Sequence, residues 1–486
     1  MRASSPIARF LGAASCLSVL SGCVQGDDYV KPAIHVPAAY RSAEAAISSP
    51  AAAIEDHWWT GYGDRHLDAL VEEALTNNRD LRIATARVDE FAAILAGTKS
   101  QGLPQIGYGG SGSRARASED KIPSIVDPKS TTFSALLSAS WEIDLWGRIR
   151  RETEAARANL LASDEARRGV TLTLISSVII GYVTLLDLDE QLRVSEATVA
   201  GRRKSVDVFE KRLAAGWISE FEMAQVRGEY EGALATLPPI HQAIALQENA
   251  LSVLVGRNPG PIKRATPQEL ATFHQVTVPA GLPSELLIRR PDILQAEQQL
   301  IASNALIGAA RALFFPRINL TSLFGLASSS LGGLFNGNAN TWSFTGDVVG
   351  PIYTGGGLTA AVDQAEARRE QSLANYELVI QNAFRDVDDS LANVQHSAEF
   401  REAVGRRVAT LRRGVELANE RYENGYSDYL EVLDTERSLF SAELQYASAR
   451  GDYQRALVDL YRALGGDWTN LPPVTAATAQ RPGGSK

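Results

Sequence analysis

The chain is poor in cysteine and histidine, the residues that form disulfides and most often bind transition metals. It has two cysteines and six histidines in 486 residues, and the histidines show no metal-ligand spacing. No Gly-x-Ser-x-Gly elbow stands out, and no Lys-Ser/Thr follows Gly355–Gly357 as a phosphate loop requires. The net charge is -9, and the basic runs are short. The sequence therefore predicts no enzyme, no metal site and no nucleic-acid partner.

Near the N-terminus, an apolar run from Phe10 to Leu20 is too short to span a bilayer and follows two arginines, as in a secretory signal. It ends at Leu20-Ser21-Gly22-Cys23, which looks like the bacterial lipobox. We expect a signal peptide at 1–22 and a covalent lipid on Cys23, with no other cofactor. The alternative is an ordinary signal beside a chance cysteine.

The rest of the chain is a tandem repeat. Leu103-Pro104-Gln105-Ile106 returns 212 residues later as Phe315-Pro316-Arg317-Ile318, and from Gly147 onward the offset is 209 residues. Each copy reads helix, strand, loop, strand, long helix, tight turn and helix. The change of offset falls between the two strands of each copy, where an exposed loop tolerates a difference in length.

Four segments alternate apolar and polar residues, which is typical of strands with one apolar face. They are predicted at about 105–113, 132–145, 317–326 and 341–351. Their length and terminal aromatics suit strands that cross an outer membrane, although a half-buried soluble sheet has the same pattern. Four strands do not close a barrel, and an open edge is costly in lipid, so several chains must share one barrel.

The predicted helices are unusually long. Proline is absent from Gly147 to Ala215, so this segment permits a rod of roughly 100 Å. We expect the repeats at 64–256 and 284–465, an extended N-terminal segment at 23–63, an equatorial linker at 257–283 and a tail at 466–486. Half-length segments, Asp64–Ser100 and Ser219–Gly256 in the first copy, are expected to stack end to end along each long helix.

These features are similar to the outer-membrane efflux protein family of TolC-type channels, in particular its lipoprotein branch that serves resistance-nodulation-division pumps. The resemblance covers nearly the whole mature chain. It is carried by Asp28–Pro32, Trp58-Trp59, Asn78–Leu81, Ser140–Gly147, Gly281–Asp292 and Ala310–Pro316.

The resemblance implies a mixed fold, a membrane β-barrel continued by a long α-helical barrel. Strand closure alone also permits two chains with eight strands, whereas the family implies a homotrimer with twelve strands and a helical tunnel through the periplasm. The implied function is the exit duct of a tripartite efflux system for small molecules in the outer membrane. Its partners are a periplasmic adaptor, an inner-membrane pump and outer-membrane lipid; the alternative is a type I protein-secretion channel.

Two helix-turn-helix tips are predicted at the periplasmic end. Gly216 and Gly425 allow tight turns and close approach by a partner, so these glycines, with Ser219 and Ser427, are the predicted adaptor contacts. The alternative is that each glycine serves only its own turn. The first tip, Gly216–Ser219, holds one residue more than the second, Gly425–Ser427, so we expect that the two tips need not be equivalent.

A gate is predicted beside the second tip. Leu430, Asp434 and Arg437 share one helix face, and their spacing resembles the family's constricting ring. In the first copy the counterpart of Asp434 is Gln225 or Val226, neither of which is charged. The alternative is an ordinary solvated ion pair between Asp434 and Arg437.

Overall fold

The structure is a computed structural model that describes residues 24–41, 57–118, 127–265 and 283–466. The predicted signal peptide and Cys23 lie outside the described residues, as do most of the predicted tail and much of the linker.

Thirteen helices and strands are considered below. In chain order they are α1 (Arg65–Asn77), α2 (Arg79–Ser100), β1 (Gln105–Arg116), β2 (Lys129–Ile143), α3 (Arg148–Ala214), α4 (Glu220–Leu234), α5 (Leu237–Leu254), α6 (Pro283–Arg289), α7 (Pro291–Ala312), β3 (Arg317–Ser328), β4 (Asn340–Val349), α8 (Gly357–Glu423) and α9 (Tyr429–Ala463). The long helices α3 and α8 have 67 residues each.

Two of the predicted helical segments are interrupted. The first breaks at Asn78, whose side chain accepts the Leu81 N–H at 2.9 Å and so starts α2 anew. The second breaks between α4 and α5, because Pro238 and Pro239 lie in the first turn of α5 and supply no backbone N–H. The corresponding helix of the second copy, α9, is continuous over 35 residues.

The described chain forms two compact units. The first holds the strands and the adjoining helix ends, within Met1–Ala33, Arg87–Ser163 and Gln295–Glu377. The second is helical and lies within Ile34–Ala86, Asp164–Leu294 and Leu378–Lys486.

The four strands form one antiparallel sheet in the order β1-β2-β3-β4. Its register places Tyr108 opposite Leu137, Leu137 opposite Phe324, and Phe324 opposite Trp342. One face of the sheet therefore carries large apolar residues in line across all four strands. Strands β1 and β4 are edges, each with one neighbour among the described residues.

Below the sheet, small residues bring helices close together. Ala155 and Ala158 of α3 pack against Ala302 and Ala305 of α7, and all four are buried. The N-terminal segment lies on the same unit. The N–H of Gln25 donates to the Trp146 carbonyl at 3.1 Å, which holds the chain beside the end of β2.

In the second unit, buried polar groups join segments distant in sequence. The Arg290 guanidinium donates to the Ala463 carbonyl at 3.0 Å and to Asp386 at 3.2 Å, so it links the start of α7 to α8 and α9. The Tyr182 hydroxyl of α3 donates to Asp64, the N-cap of α1, at 2.5 Å. These contacts fix the long helices along their lengths.

Candidate functional site

The sheet has an apolar face and a polar face, as required of a wall between lipid and water. On the apolar face, Tyr108 is 92% exposed and Trp342 is 68% exposed. On the polar face, Gln105, Ser140, Thr321 and Thr345 form one row across the four strands. Exposed aromatics of this kind are suited to contact with lipid, and the polar row is suited to contact with water.

The first tip joins α3 to α4. Gly216 has φ of 73°, and the N–H of Trp217 donates to the Arg212 carbonyl at 2.9 Å, which ends α3 in a Schellman-type turn. Ser219 begins α4 through a capping box: its hydroxyl accepts the Glu222 N–H at 3.2 Å, and the Glu222 carboxylate accepts the Ser219 N–H at 2.7 Å.

The second tip joins α8 to α9 with the same backbone. Gly425 has φ of 75°, and the N–H of Tyr426 donates to the Arg421 carbonyl at 2.8 Å. The N-cap is Asp428, whose carboxylate accepts the Glu431 N–H at 3.3 Å. Both turns therefore use glycine where L side chains are disfavoured.

The expectation that the first tip holds one residue more than the second is wrong. The helix-starting residue of the second tip is Asp428 and not Ser427, so each tip has its N-cap three positions after its glycine. The 209-residue offset therefore holds through the tips, and the counterpart of Asp434 is Gln225. Ser427 caps no helix, and its hydroxyl is buried without a hydrogen-bond partner.

Both tips expose apolar side chains in equivalent positions. Trp217 and Tyr426 are 79% and 78% exposed, and Phe221 and Leu430 are 71% and 49% exposed. Such a group of exposed apolar residues at one end of a helical unit is typical of an interaction surface.

Aromatic residues join the two tips to each other beneath this surface. The rings of Phe209 and Tyr429 lie 4.3 Å apart, and those of Tyr422 and Tyr429 lie 5.0 Å apart. The Arg212 guanidinium lies 5.3 Å from the Phe209 ring centroid and donates to the Tyr422 hydroxyl. Burial is the main cause that raises the pKa of the Tyr429 hydroxyl, which therefore stays protonated.

The predicted gate residues share an exposed face of α9. Asp434 and Arg437 side chains are 73% and 57% exposed, and Leu430 is 49% exposed. Asp434 and Arg437 approach only to 3.8 Å. At this distance and exposure the pair contributes little within one chain.

Arg437 has a closer partner that the sequence did not indicate. Its guanidinium lies 2.7 Å from the Glu229 carboxylate of α4, which also pairs with Arg202 of α3 at 2.8 Å. The three residues link α9 to both helices of the first hairpin. No local spacing predicts this contact, because its members lie on three different helices.

Glu436 lies next to this group. Burial is the largest influence on its carboxyl and raises its pKa, the nearby Arg202 opposes that effect, and Glu229 adds to it. Burial thus disfavours the charged form of Glu436, whereas Asp434 and Arg437 are exposed on another side of the same helix.

Among the described residues, no three His, Cys, Asp or Glu side chains cluster as a metal site.

Comparison with known proteins identifies the family. The profile of the family described as "Outer membrane efflux protein" matches residues 70–257 and again residues 282–466. The chain belongs to the outer membrane efflux protein family. The double match also confirms the tandem repeat.

Named relatives of this efflux protein are similar over almost their whole length. The cation efflux system protein CusC of Escherichia coli O6:H1 is 37% identical over 452 residues, which are 92% of this chain and 96% of CusC. The solvent efflux pump outer membrane protein SrpC of Pseudomonas putida is 36% identical over 462 residues, which are 93% of this chain and 97% of SrpC.

Solved channels have the same fold. The open-state MtrE outer membrane channel of Neisseria gonorrhoeae is 31% identical with a TM-score of 0.82, covering 91% of this chain and 98% of MtrE. This efflux protein is therefore the outer-membrane channel of a tripartite efflux system. It is a transport protein without enzymatic activity, and it extends into the periplasm. The relatives support efflux over the type I secretion alternative.

The caps of the two tips provide a test of the turn geometry. We expect Asp428→Ala to weaken the first turn of α9 by roughly 1 kcal/mol, because the Glu431 N–H loses its acceptor. Hydrogen exchange of the backbone amides in that turn measures the effect. The control is Ser427→Ala, which removes a hydroxyl that caps nothing. Faster exchange in Ser427→Ala than in Asp428→Ala would contradict the assigned helix start.

Proposed function

We propose that three copies of this chain close one twelve-stranded barrel whose helices continue as a tunnel. The observation that carries the proposal is the four-stranded sheet with unpaired edges at β1 and β4 in the described chain. In lipid each edge needs a partner, and the edge of a second copy supplies it. The fold class, which matches solved channels, supports three copies over two.

A lipid on Cys23 anchors each copy. In support, Arg151 donates to the carbonyls of Gln25 at 3.0 Å and Gly26 at 2.6 Å, two and three residues after the cysteine. These bonds hold Gln25 and Gly26 against α3 within the first unit, which also contains the sheet. The anchor and the barrel then act at the same membrane surface.

The tips are the docking site of a periplasmic adaptor, which connects the channel to an inner-membrane pump of the resistance-nodulation-division class. The exposed apolar residues at both tips support this assignment. Gly216 and Gly425 have open space around them, so a partner can approach the backbone there. The aromatic contacts beneath keep the tips in a fixed relation. The cargo is small molecules, a class that includes the cations, solvents and antibiotics in the names of the relatives.

Leu430, Asp434 and Arg437 form the gate. Around a threefold axis, three Asp434 carboxylates repel one another unless each is paired. Within one chain Arg437 approaches Asp434 only to 3.8 Å, so the charge-assisted hydrogen bonds that close the ring form between neighbouring copies. Its bond to Glu229 keeps Arg437 at the end of the hairpin, within reach of a neighbouring copy. The ring is thus closed at rest and opens when these pairs separate.

The assembly is tested by mass measurement of protein purified in mild detergent. We expect three subunits in native conditions, and after denaturation a chain that begins at Cys23 and carries acyl groups. A monodisperse monomer would exclude the shared barrel.

The lipid on Cys23 is tested by metabolic labelling with a fatty acid. The label should be lost in Cys23→Ala, and label that persists in this variant would exclude the lipid assignment.

The adaptor site is tested by Gly216→Trp and Gly425→Trp. Each should lower drug resistance in a complemented deletion strain, because the indole occupies the surface that the adaptor approaches, while barrel assembly is retained. Gly216→Ala and Gly425→Ala are the matched controls, since they strain the same backbone positions without adding an indole. Gly201→Trp controls for the indole alone, since Gly201 is exposed in α3 with nothing within 4 Å of an added Cβ. Resistance equal to the parent in both tryptophan variants of the tips would argue against docking there.

The gate is tested in planar bilayers with Asp434→Ala combined with Arg437→Ala. Single-channel conductance should rise, and large antibiotics should enter without the pump, because the ring loses its ion pairs. Glu229 keeps its bond to Arg202, so no carboxylate loses its only partner. The control combines Gln225→Ala with Gly228→Ala at the equivalent positions of the first copy. Unchanged conductance in the charged-residue double variant would rule out this gate.

A further inference from the structure

Three cations occupy one end of the apolar face of the sheet. Arg114 and Arg116 lie in β1 and Lys129 begins β2, and all three are exposed. By strand alternation Arg114 and Arg116 share the side of Tyr108, and Lys129 shares the side of Leu137. They therefore lie on the face that we assign to lipid and not on the polar face that lines the channel.

The register brings two of these cations into direct opposition. Arg116 pairs with Lys129 across the ladder, and Arg114 lies two residues before Arg116 on the same side of β1. Cations at neighbouring positions of a sheet concentrate positive charge at one place, and a local positive potential attracts anions. The nearby Asp127 carboxylate accepts the backbone N–H of Lys129 at 2.9 Å.

The remainder of this face carries no charge in the described strands. Its other members are Ile106, Tyr108, Gly110, Gly112, Thr131, Phe133, Ala135, Leu137, Ala139, Trp141, Ile143, Ile318, Leu320, Ser322, Phe324, Leu326, Ser328, Asn340, Trp342, Phe344, Gly346 and Val348. The strand residues that carry negative charge, Glu142 and Asp347, lie on the opposite face. Charge within the strands on the lipid side is thus of one sign and confined to one end, and Asp127 lies beside it in the loop before β2.

That end is the outer end of the barrel. The opposite strand ends lead into α3 and α8, whereas the cations lie at the β1–β2 hairpin. From Ile106 to Arg116 the strand extends about 33 Å, and at the tilt of about 40° typical of outer-membrane barrels this length spans roughly 25 Å, the height of their apolar band. With the helices in the periplasm, the cations stand at the margin of the outer leaflet.

The outer leaflet of a Gram-negative outer membrane is rich in glycolipids that bear phosphate groups. Arginine binds phosphate bidentately and lysine binds it as a point charge, so this cation group matches such headgroups in position and in chemistry. We propose that Arg114, Arg116 and Lys129 bind the phosphates of an outer-leaflet glycolipid. The inference rests on the proposed barrel, because the barrel determines which face meets lipid.

The test uses the full-length channel in detergent and counts retained lipids by native mass spectrometry. The probe is lipid A, an acylated glucosamine disaccharide with two phosphates, compared with the same lipid after phosphate removal and with phosphatidylglycerol. We expect retention of the diphosphorylated glycolipid and about ten-fold weaker retention when R114Q, R116Q and K129Q are combined. R317Q is the matched control, since Arg317 is an exposed strand cation on the polar face and should leave retention unchanged.

The outcomes separate the inference from the proposed assembly. Equal retention of the dephosphorylated lipid, or by the triple variant, would overturn the site, and phosphatidylglycerol bound as tightly as lipid A would overturn its assignment to glycolipid. The same spectra report the number of subunits. A trimer without phosphate-dependent retention contradicts only the glycolipid site, whereas a monomer contradicts the proposed barrel on which the site depends. If the triple variant does not assemble, the single variant R114Q should still retain about three-fold less lipid A than the parent.

Discussion

Backbone hydrogen bonding in lipid is the constraint on which the rest of this structure depends. Water is absent from the bilayer core, so a strand there must pair on both sides. The described part of the chain has four strands and two unpaired edges, which favours a barrel shared among copies. A shared barrel in turn aligns the helices of each copy around one axis. The tip surfaces and the gate face of α9 have functional meaning only in that arrangement.

Much of the fold was accessible from the sequence, because alternation and repetition are local signals. The apolar residues of β2 and the paired Pro104 and Pro316 were sufficient to predict the strands and the tandem repeat. The helix breaks were less accessible. Pro238 and Pro239 are compatible with a helix start, but the sequence predicts Ser219–Gly256 as one helical segment that runs through them. The break at Asn78 depends on the side chain of that residue accepting a backbone N–H, which the sequence does not show.

The site was predicted in part. The turns at Gly216 and Gly425 followed from residue type, since a left-handed backbone position favours glycine. The second helix start was misplaced by one residue because Ser427 and Asp428 are both good N-caps and only the backbone decides between them. The bond of Arg437 to Glu229 was missed because it depends on how two hairpins pack, which spacing along one helix does not encode.

The proline break between α4 and α5 has a mechanical consequence. Its counterpart α9 runs unbroken for 35 residues, so the two return helices of one chain differ in torsional stiffness. We expect a rotation at the tip to be transmitted along the whole of α9, because backbone hydrogen bonds join each helical turn to the next. In the first copy Pro238 and Pro239 have no N–H to bond back to α4, so we expect the α4–α5 pair to resist twisting less than the continuous α9 does.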